Sequence, residues 1–210
     1  MKLKDPTSSL LHFFGAVLAI PGFIYLLLKG LASPWKIVSF SIYFASLFLL
    51  LFFSALYHAL PQGAGGKYQI FRKFDHIFIY ILIAGTYTPF CLVTLNGTLG
   101  WTFFAIEWGL ALAGTITQSF YINAPRWLTT AIYLGMGWIV VMGFKPLHAN
   151  LGSWGVLFLV SGGIIYSLGG LIYALKKPNI SKYFNFHDLW HVFVLGGAFM
   201  HFLAIYFFVA

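Results

Sequence analysis

The feature that most limits how this chain can fold is the recurrence of apolar runs, each about 20 residues long, along the whole sequence. An α-helix of that length spans the hydrocarbon core of a bilayer. The composition agrees, since 60% of the 210 residues are hydrophobic and only 8% are charged. A soluble domain usually has about half apolar and about a quarter charged residues. The sequence therefore predicts an all-α integral membrane protein.

Seven apolar runs are separated by short polar, glycine-containing or proline-containing breaks. We predict membrane-spanning helices over residues 10–28, 35–59, 74–95, 99–120, 125–144, 154–175 and 187–209. Seven helices joined by short loops form an up-and-down bundle, and residues 1–210 are expected to form one domain. A cleaved signal peptide is the alternative for the first run, because Gly30-Leu31-Ala32 resembles a cleavage site, but the run is too long for a typical signal core.

Two local patterns add detail to this bundle. The stretch from Asp5 to Ser9 offers side chains that can cap the first helix. Three glycine pairs predict close contacts between helices, where a side chain would keep the backbones apart. These pairs are Gly162-Gly163, Gly169-Gly170 and Gly196-Gly197.

The basic residues are divided unequally between the two sides of the predicted bundle. Nine lie on the side of the N-terminus, namely Lys2, Lys4, Lys67, Arg72, Lys73, Arg126, Lys176, Lys177 and Lys182. Three lie on the other side, namely Lys29, Lys36 and Lys145. Because cytoplasmic loops carry an excess of Lys and Arg, we predict a cytoplasmic N-terminus and an outside C-terminus. The net charge of +8 then comes from Lys and Arg in loops that face anionic lipid. No nucleic-acid partner is expected.

Three histidines fall on the inner side in this orientation. His187 and His191 are spaced i,i+4 at the head of the last run, so they lie on one face of a helix. His58 is near the end of the second run. Ionisable residues inside membrane spans usually face the interior of the bundle. Three imidazoles with an open position are the protein ligands of a catalytic zinc site, so Zn²⁺ is the predicted cofactor.

Two further polar residues are expected at the same depth. Asp75 opens the third run and can bind the metal, hold a water molecule or act as a general base. Ser54 lies one helical turn before His58, on the same face, and can hydrogen-bond water or substrate. The simpler alternative for Asp75 is a helix cap or an ion-pair partner for Arg72 and Lys73.

The other ionisable residues of the apolar runs and loops are less closely tied to this site. They are His12, His76, His148, His201 and Glu107. His12 begins the first run on the same side and is a candidate to support a ligand from behind. His201 lies ten residues beyond His191, about 15 Å deeper in the membrane, so we do not expect it to share the same ion.

Taken together, these residues resemble a known family. The similarity rests on Ser54-x-x-x-His58, on Phe74-Asp75-His76 running into Ile83-Ala84-Gly85-Thr86-Tyr87-Thr88-Pro89, and on His187-x-x-x-His191 followed by His201. This order of motifs resembles the hemolysin III family, the bacterial branch of the progestin and adipoQ receptors, whose wider superfamily includes alkaline ceramidases. The resemblance covers essentially the whole chain. It implies a seven-helix protein of the bacterial inner membrane, with zinc on His58, His187 and His191 and with Asp75 and Ser54 beside it.

The function predicted from the residues and the resemblance is a zinc-dependent membrane hydrolase that acts on a lipid amide or ester. Asp75 is the expected base, and Ser54 is expected to help stabilise the oxyanion. Three alternatives stay open at this point. The first is a non-enzymatic, receptor-like sensor in which zinc only ties helices together, the second is a hemolysin-type pore former, and the third is a bis-histidine haem site. No substrate and no oligomeric state are predicted.

Overall fold

A computed structural model describes residues 4–61, 65–181 and 184–210, and this part of the chain contains helices and no strand. The helices are α1 (Pro6–Gly30), α2 (Pro34–Ala59), α3 (Gly66–Pro89), α4 (Gly97–Phe120), α5 (Arg126–Trp138), α6 (Phe144–Leu175) and α7 (Phe186–Phe208). A π-helical turn, Phe90–Leu95, continues α3. A 3-10 turn, Ile139–Gly143, joins α5 to α6. The all-α class predicted from the apolar runs is confirmed.

Six continuous helical segments in the described ranges are long and apolar enough to cross a membrane. Five are α1, α2, α3 with its π-helical turn, α4 and α7, and the sixth runs over 50 residues from Arg126 to Leu175. Large apolar side chains remain exposed on the outside of the bundle, among them Phe14, Leu18 and Leu112. In water such a surface would be an association hazard, whereas in a bilayer it faces lipid. The chain is therefore a multi-pass membrane protein.

The long segment that contains α5 and α6 is broken by a glycine. Gly152 has φ 66° and ψ 178°, a conformation that glycine adopts far more readily than other residues. The sequence predicts a loop between residues 144 and 154, but the structure continues the helix up to this break. Leu147 and Leu151 explain the difference, because both are buried in the apolar core and hold this stretch against the bundle.

Helix α3 begins at Gly66, eight residues before the predicted start at Phe74. The added residues, 66–73, are too polar to be predicted as part of a membrane span. They include lysine, glutamine and arginine, which favour helix. Arg72 donates to the side chain of Asn123, and Lys73 donates to a backbone carbonyl at the end of α4. Asp75 is therefore not at the start of a helix, as predicted, but is the tenth residue of α3.

The core lies between α1, α2, α3, α6 and α7. Close helix contacts occur at each of the predicted glycine pairs: a Cβ added to Gly162 would meet His201, one added to Gly169 would meet Phe193, and one added to Gly197 would meet Tyr166. These glycines let α6 and α7 approach closely, as the sequence predicts. Two of the basic residues counted above, Lys2 and Lys182, lie outside the described residues.

Candidate metal centre

Three imidazole rings converge where the end of α2 meets the start of α7. The Nε2 atom of His58 lies 3.3 Å from the Nε2 atom of His187 and 3.2 Å from the Nε2 atom of His191. His58 and His191 are buried, and His187 is half-buried. The group can hold a metal ion, since one nitrogen from each ring lies within 4.8 Å of the others.

The start of α7 is fixed by a capping box, and this places two of the three histidines. The side chain of Asn185 accepts a hydrogen bond from the backbone N–H of His187 at 2.8 Å. The carboxylate of Asp188 accepts one from the backbone N–H of Asn185 at 3.0 Å. Such a box satisfies donors at both ends of the first turn. His187 and His191 then project from one face of a helix whose first residue is well defined.

The end of α2 places the third histidine. Leu60 precedes Pro61 and has an extended conformation, with φ −75° and ψ 136°. A residue before proline is disfavoured in the α region, so the helix must stop at Ala59. His58 is therefore held in the last turn, at the end of the bundle where α7 begins.

The separations between the nitrogens fit a tetrahedral zinc ion. Zinc binds imidazole nitrogen at about 2.0–2.1 Å, which places two ligands of a tetrahedral site about 3.3–3.4 Å apart. The observed separations of 3.2 and 3.3 Å are close to this value. Hydrogen bonds cannot satisfy both contacts, because the Nε2 atom of His58 has either one lone pair or one proton. A cation shared by the three rings suits this arrangement better than hydrogen bonds between them.

A cavity of about 540 Å³ opens from the three histidines into the bundle. Asp75 and Ser54 line it near the histidines, and mostly apolar side chains line the remainder, including Leu82, Phe90 and Val140. Its walls follow α3 from Asp75 to Phe90, a length of about 22 Å at 1.5 Å per residue. The volume lies within the range of about 300–1,000 Å³ that is usual for small-ligand sites.

Asp75 and Ser54 lie beside the histidines and not among the converging nitrogens. His58 and His12 are within electrostatic reach of the Asp75 carboxylate. The side chain of Asp75 is 13% exposed and lies 3.5 Å from the Nδ1 atom of His76. Ser54 is fully buried, and its hydroxyl lies beside the carboxylate of Asp75. Both side chains line the cavity, where a ligand can reach them.

Asp5 is a site residue that the sequence interpretation missed. It occupies the N-cap position of α1, but its side chain makes no capping hydrogen bond and instead lies 3.1 Å from the Nδ1 atom of His58. Partial burial would raise the pKa of this carboxyl, but hydrogen bonding to His58 and to Lys4 outweighs it and lowers the pKa to about 2. Asp5 is thus an ionised acceptor behind a histidine of the group.

Comparison with known proteins identifies the family. The family model described as Haemolysin-III related matches residues 2–202. The chain belongs to the hemolysin III family. Hemolysin-3 of Bacillus cereus is 42% identical, over 98% of this chain and 92% of its own length. The hemolysin-3 homolog of Bacillus subtilis (strain 168) is 39% identical, over 98% and 94%. A more distant relative, the adiponectin receptor protein of Drosophila melanogaster, is 22% identical, over 92% and 48%.

Membership of the hemolysin III family confirms the resemblance drawn from the three motifs. The remaining histidines do not join the metal group. His76 bonds through Nδ1 to the backbone carbonyl of Arg72, His148 is exposed, and His201 bonds to the carbonyl of Leu159. The ligand roles of the converging histidines, and the roles of Asp75 and Ser54, stay predictions.

Proposed function

We propose that this hemolysin III protein is a zinc-dependent membrane hydrolase that cleaves a lipid amide or ester. The observation that carries the proposal is the convergence of three Nε2 atoms at the head of a long apolar cavity. Three histidine ligands leave one position of a zinc ion open, which is the arrangement of catalytic and not of structural sites. A cavity of this length suits an acyl chain whose carbonyl lies at the histidines.

The side chains near the histidines supply the other groups that hydrolysis needs. When bound, zinc would supply a Lewis acid and a water molecule of lowered pKa. Asp75, which lines the cavity beside the histidines, accepts the proton of the attacking water. The buried hydroxyl of Ser54, which also lines the cavity, donates to the carbonyl oxygen as negative charge develops on it.

We further propose that residues 1–210 form one domain with seven membrane spans in the bacterial inner membrane. A straight helix over residues 126–175 would be about 75 Å long, far more than the roughly 30 Å of a hydrocarbon core. The break at Gly152 lets this segment turn back and cross twice. The excess of basic residues on the side of the N-terminus supports a cytoplasmic N-terminus and an outside C-terminus.

A receptor-like protein with a purely structural metal is the second candidate. The relationship to an adiponectin receptor protein favours it. In this case the ion would only tie α2 to α7, and the roles of Asp75 and Ser54 would need another explanation.

Turnover by purified, zinc-loaded protein separates the two candidates. The protein in lipid bilayers is offered a panel of lipid amides and esters, and release of fatty acid is measured. The proposal expects release from at least one class of lipid, abolished in His191→Ala. A protein with full zinc content that releases nothing from the whole panel would contradict the hydrolase and favour the structural metal.

A further inference from the structure

The N-cap and the first two turns of α1 present three polar side chains toward the metal centre. Asp5, Ser8 and His12 are separated by three and four positions, the spacing that aligns side chains along a helix. Each makes a different contact. Asp5 Oδ2 lies 3.1 Å from His58 Nδ1, Ser8 Oγ lies 2.7 Å from Asp188 Oδ1, and His12 Nε2 lies 2.8 Å from His191 Nδ1.

The contact between Asp5 and His58 determines which nitrogen of the ring carries the proton. The carboxylate of Asp5 accepts a hydrogen bond, so the Nδ1 atom of His58 must donate to it. When the single proton of the imidazole is on Nδ1, the lone pair of Nε2 is free, and Nε2 is the atom that faces the other two histidines. A carboxylate behind a ligand histidine also makes the ring a better electron donor.

The contact between His12 and His191 also determines which ring nitrogen carries the proton, but here the acceptor is an imidazole nitrogen and not a carboxylate. For His191 to offer the lone pair of Nε2, its proton must be on Nδ1, and the Nε2 atom of His12 must accept it. His12 then carries its own proton on Nδ1, a buried atom that has no partner among the described residues. His12 is 2% exposed, so in the folded protein its ring, and not bulk water, lies against the Nδ1 atom of His191.

The contact between Ser8 and Asp188 does not involve a histidine directly but stabilises the start of α7. Asp188 is 4% exposed and also accepts from the backbone of Asn185 in the capping box of α7. The Ser8 hydroxyl donates to the other carboxylate oxygen. It thereby anchors the turn of α7 from which His187 projects.

We propose that Asp5, Ser8 and His12 are positioning residues that set the affinity of the histidine centre for its metal ion. The proposal rests on the metal-binding part of the proposed function and is independent of hydrolysis. If α1 only packed against the bundle, loss of these contacts would lower stability and leave the metal affinity of the folded protein unchanged.

Zinc affinity is measured by chelator competition on purified protein in detergent, and thermal unfolding is measured on the metal-free protein. Asp5→Ala and His12→Leu remove the two acceptors. His12→Gln tests rescue, because its side-chain oxygen can replace the accepting Nε2 atom. Ser9→Ala is the matched control, since Ser9 is a buried neighbour on α1 whose hydroxyl bonds to the backbone of Ala55 and contacts no histidine of the centre.

We expect Asp5→Ala and His12→Leu each to weaken zinc binding by about 10–100-fold, the usual effect of removing a partner behind a ligand. Ser8→Ala should act in the same direction. His12→Gln should bind zinc more tightly than His12→Leu, and Ser9→Ala should bind it like the wild type. The visible spectrum of the cobalt-substituted protein should change in Asp5→Ala and not in Ser9→Ala, because it reports ligand geometry.

Two results overturn the proposal. One is wild-type zinc affinity in both Asp5→Ala and His12→Leu. The other is an affinity loss in Ser9→Ala as large as in these variants, which would mean that any loosening of α1 has the same effect. If His12→Leu does not fold, Asp5→Ala decides alone, because Asp5 precedes the first helical residue of α1. If the wild-type protein does not bind zinc, the metal-binding part of the proposed function is wrong.

Discussion

His58 and His191 are 133 positions apart in the chain, yet their Nε2 atoms lie 3.2 Å from each other. The rings come from the last turn of α2 and the second turn of α7, two helices that meet at this end of the bundle. A metal ion between them would connect helices from opposite ends of the sequence. Binding to the folded state alone would then stabilise the whole bundle.

The metal content of the protein should depend on the three converging histidines. Purified protein should contain about one zinc ion per chain, measured by elemental mass spectrometry. His58→Ala, His187→Ala and His191→Ala should each lower the zinc content and the temperature of unfolding, because each removes one of three ligands. His148→Ala is the control, since His148 is exposed and contacts Ser153. Full zinc content in all three ligand variants would show that the site is assigned wrongly.

The close approach of α6 and α7 should make Gly197 intolerant of a side chain. A Cβ at Gly197 would lie 2.7 Å from the ring of Tyr166, so Gly197→Ala should lower stability by about 1–3 kcal/mol. Gly109 in α4 has no atom within 4 Å of the same position. Gly109→Ala should therefore leave stability unchanged or raise it by up to about 1 kcal/mol through helix propensity. Thermal unfolding in detergent compares the two, and equal effects would contradict the packing.

Most of the helix positions could be predicted because apolar runs long enough to cross a bilayer leave few alternatives. The meeting of His58 with His187 and His191 could be predicted from i,i+4 spacing and a shared membrane side. The start of α3 could not, because polar turns at a membrane surface carry no hydropathy signal. The supporting role of His12 could be predicted from its place on the same side, but not its partner His191. The contact of Asp5 with His58 could not be predicted, since sequence periodicity gives the buried face of a helix without naming the helix that packs against it.

A reporter fused after Ala210 should distinguish seven spans from six. With a cytoplasmic N-terminus, an odd number of crossings places the C-terminus outside, and a reporter active only in the cytoplasm should be silent there. The same reporter fused after Pro178, in the predicted inner loop between α6 and α7, should be active. Activity after Ala210 together with silence after Pro178 would reverse the orientation. Activity at both sites would mean that α7 does not cross.

The hydroxyl of Ser54 should matter for turnover and not for stability. It is buried beside the carboxylate of Asp75, so Ser54→Ala removes at most one hydrogen bond and should change the unfolding temperature little. If the hydroxyl stabilises the oxyanion, turnover should fall by about 10²–10³-fold while zinc content stays full. Fatty-acid release and unfolding are measured on the same preparation. A fall in stability with unchanged turnover would assign Ser54 a structural role.

Asp75 should be required for turnover and not for metal binding. Asp75→Asn keeps the shape of the side chain and removes the basic oxygen, so the variant should fold, retain zinc and lose turnover by about 10²–10⁴-fold, the usual contribution of a positioned base. Glu107→Gln is the matched control, because Glu107 is a fully buried carboxyl that does not line the cavity. It should turn over lipid like the wild type. Loss of zinc in Asp75→Asn would make Asp75 a ligand, whereas full turnover would leave the hydrolase in place and assign the proton transfer to another group.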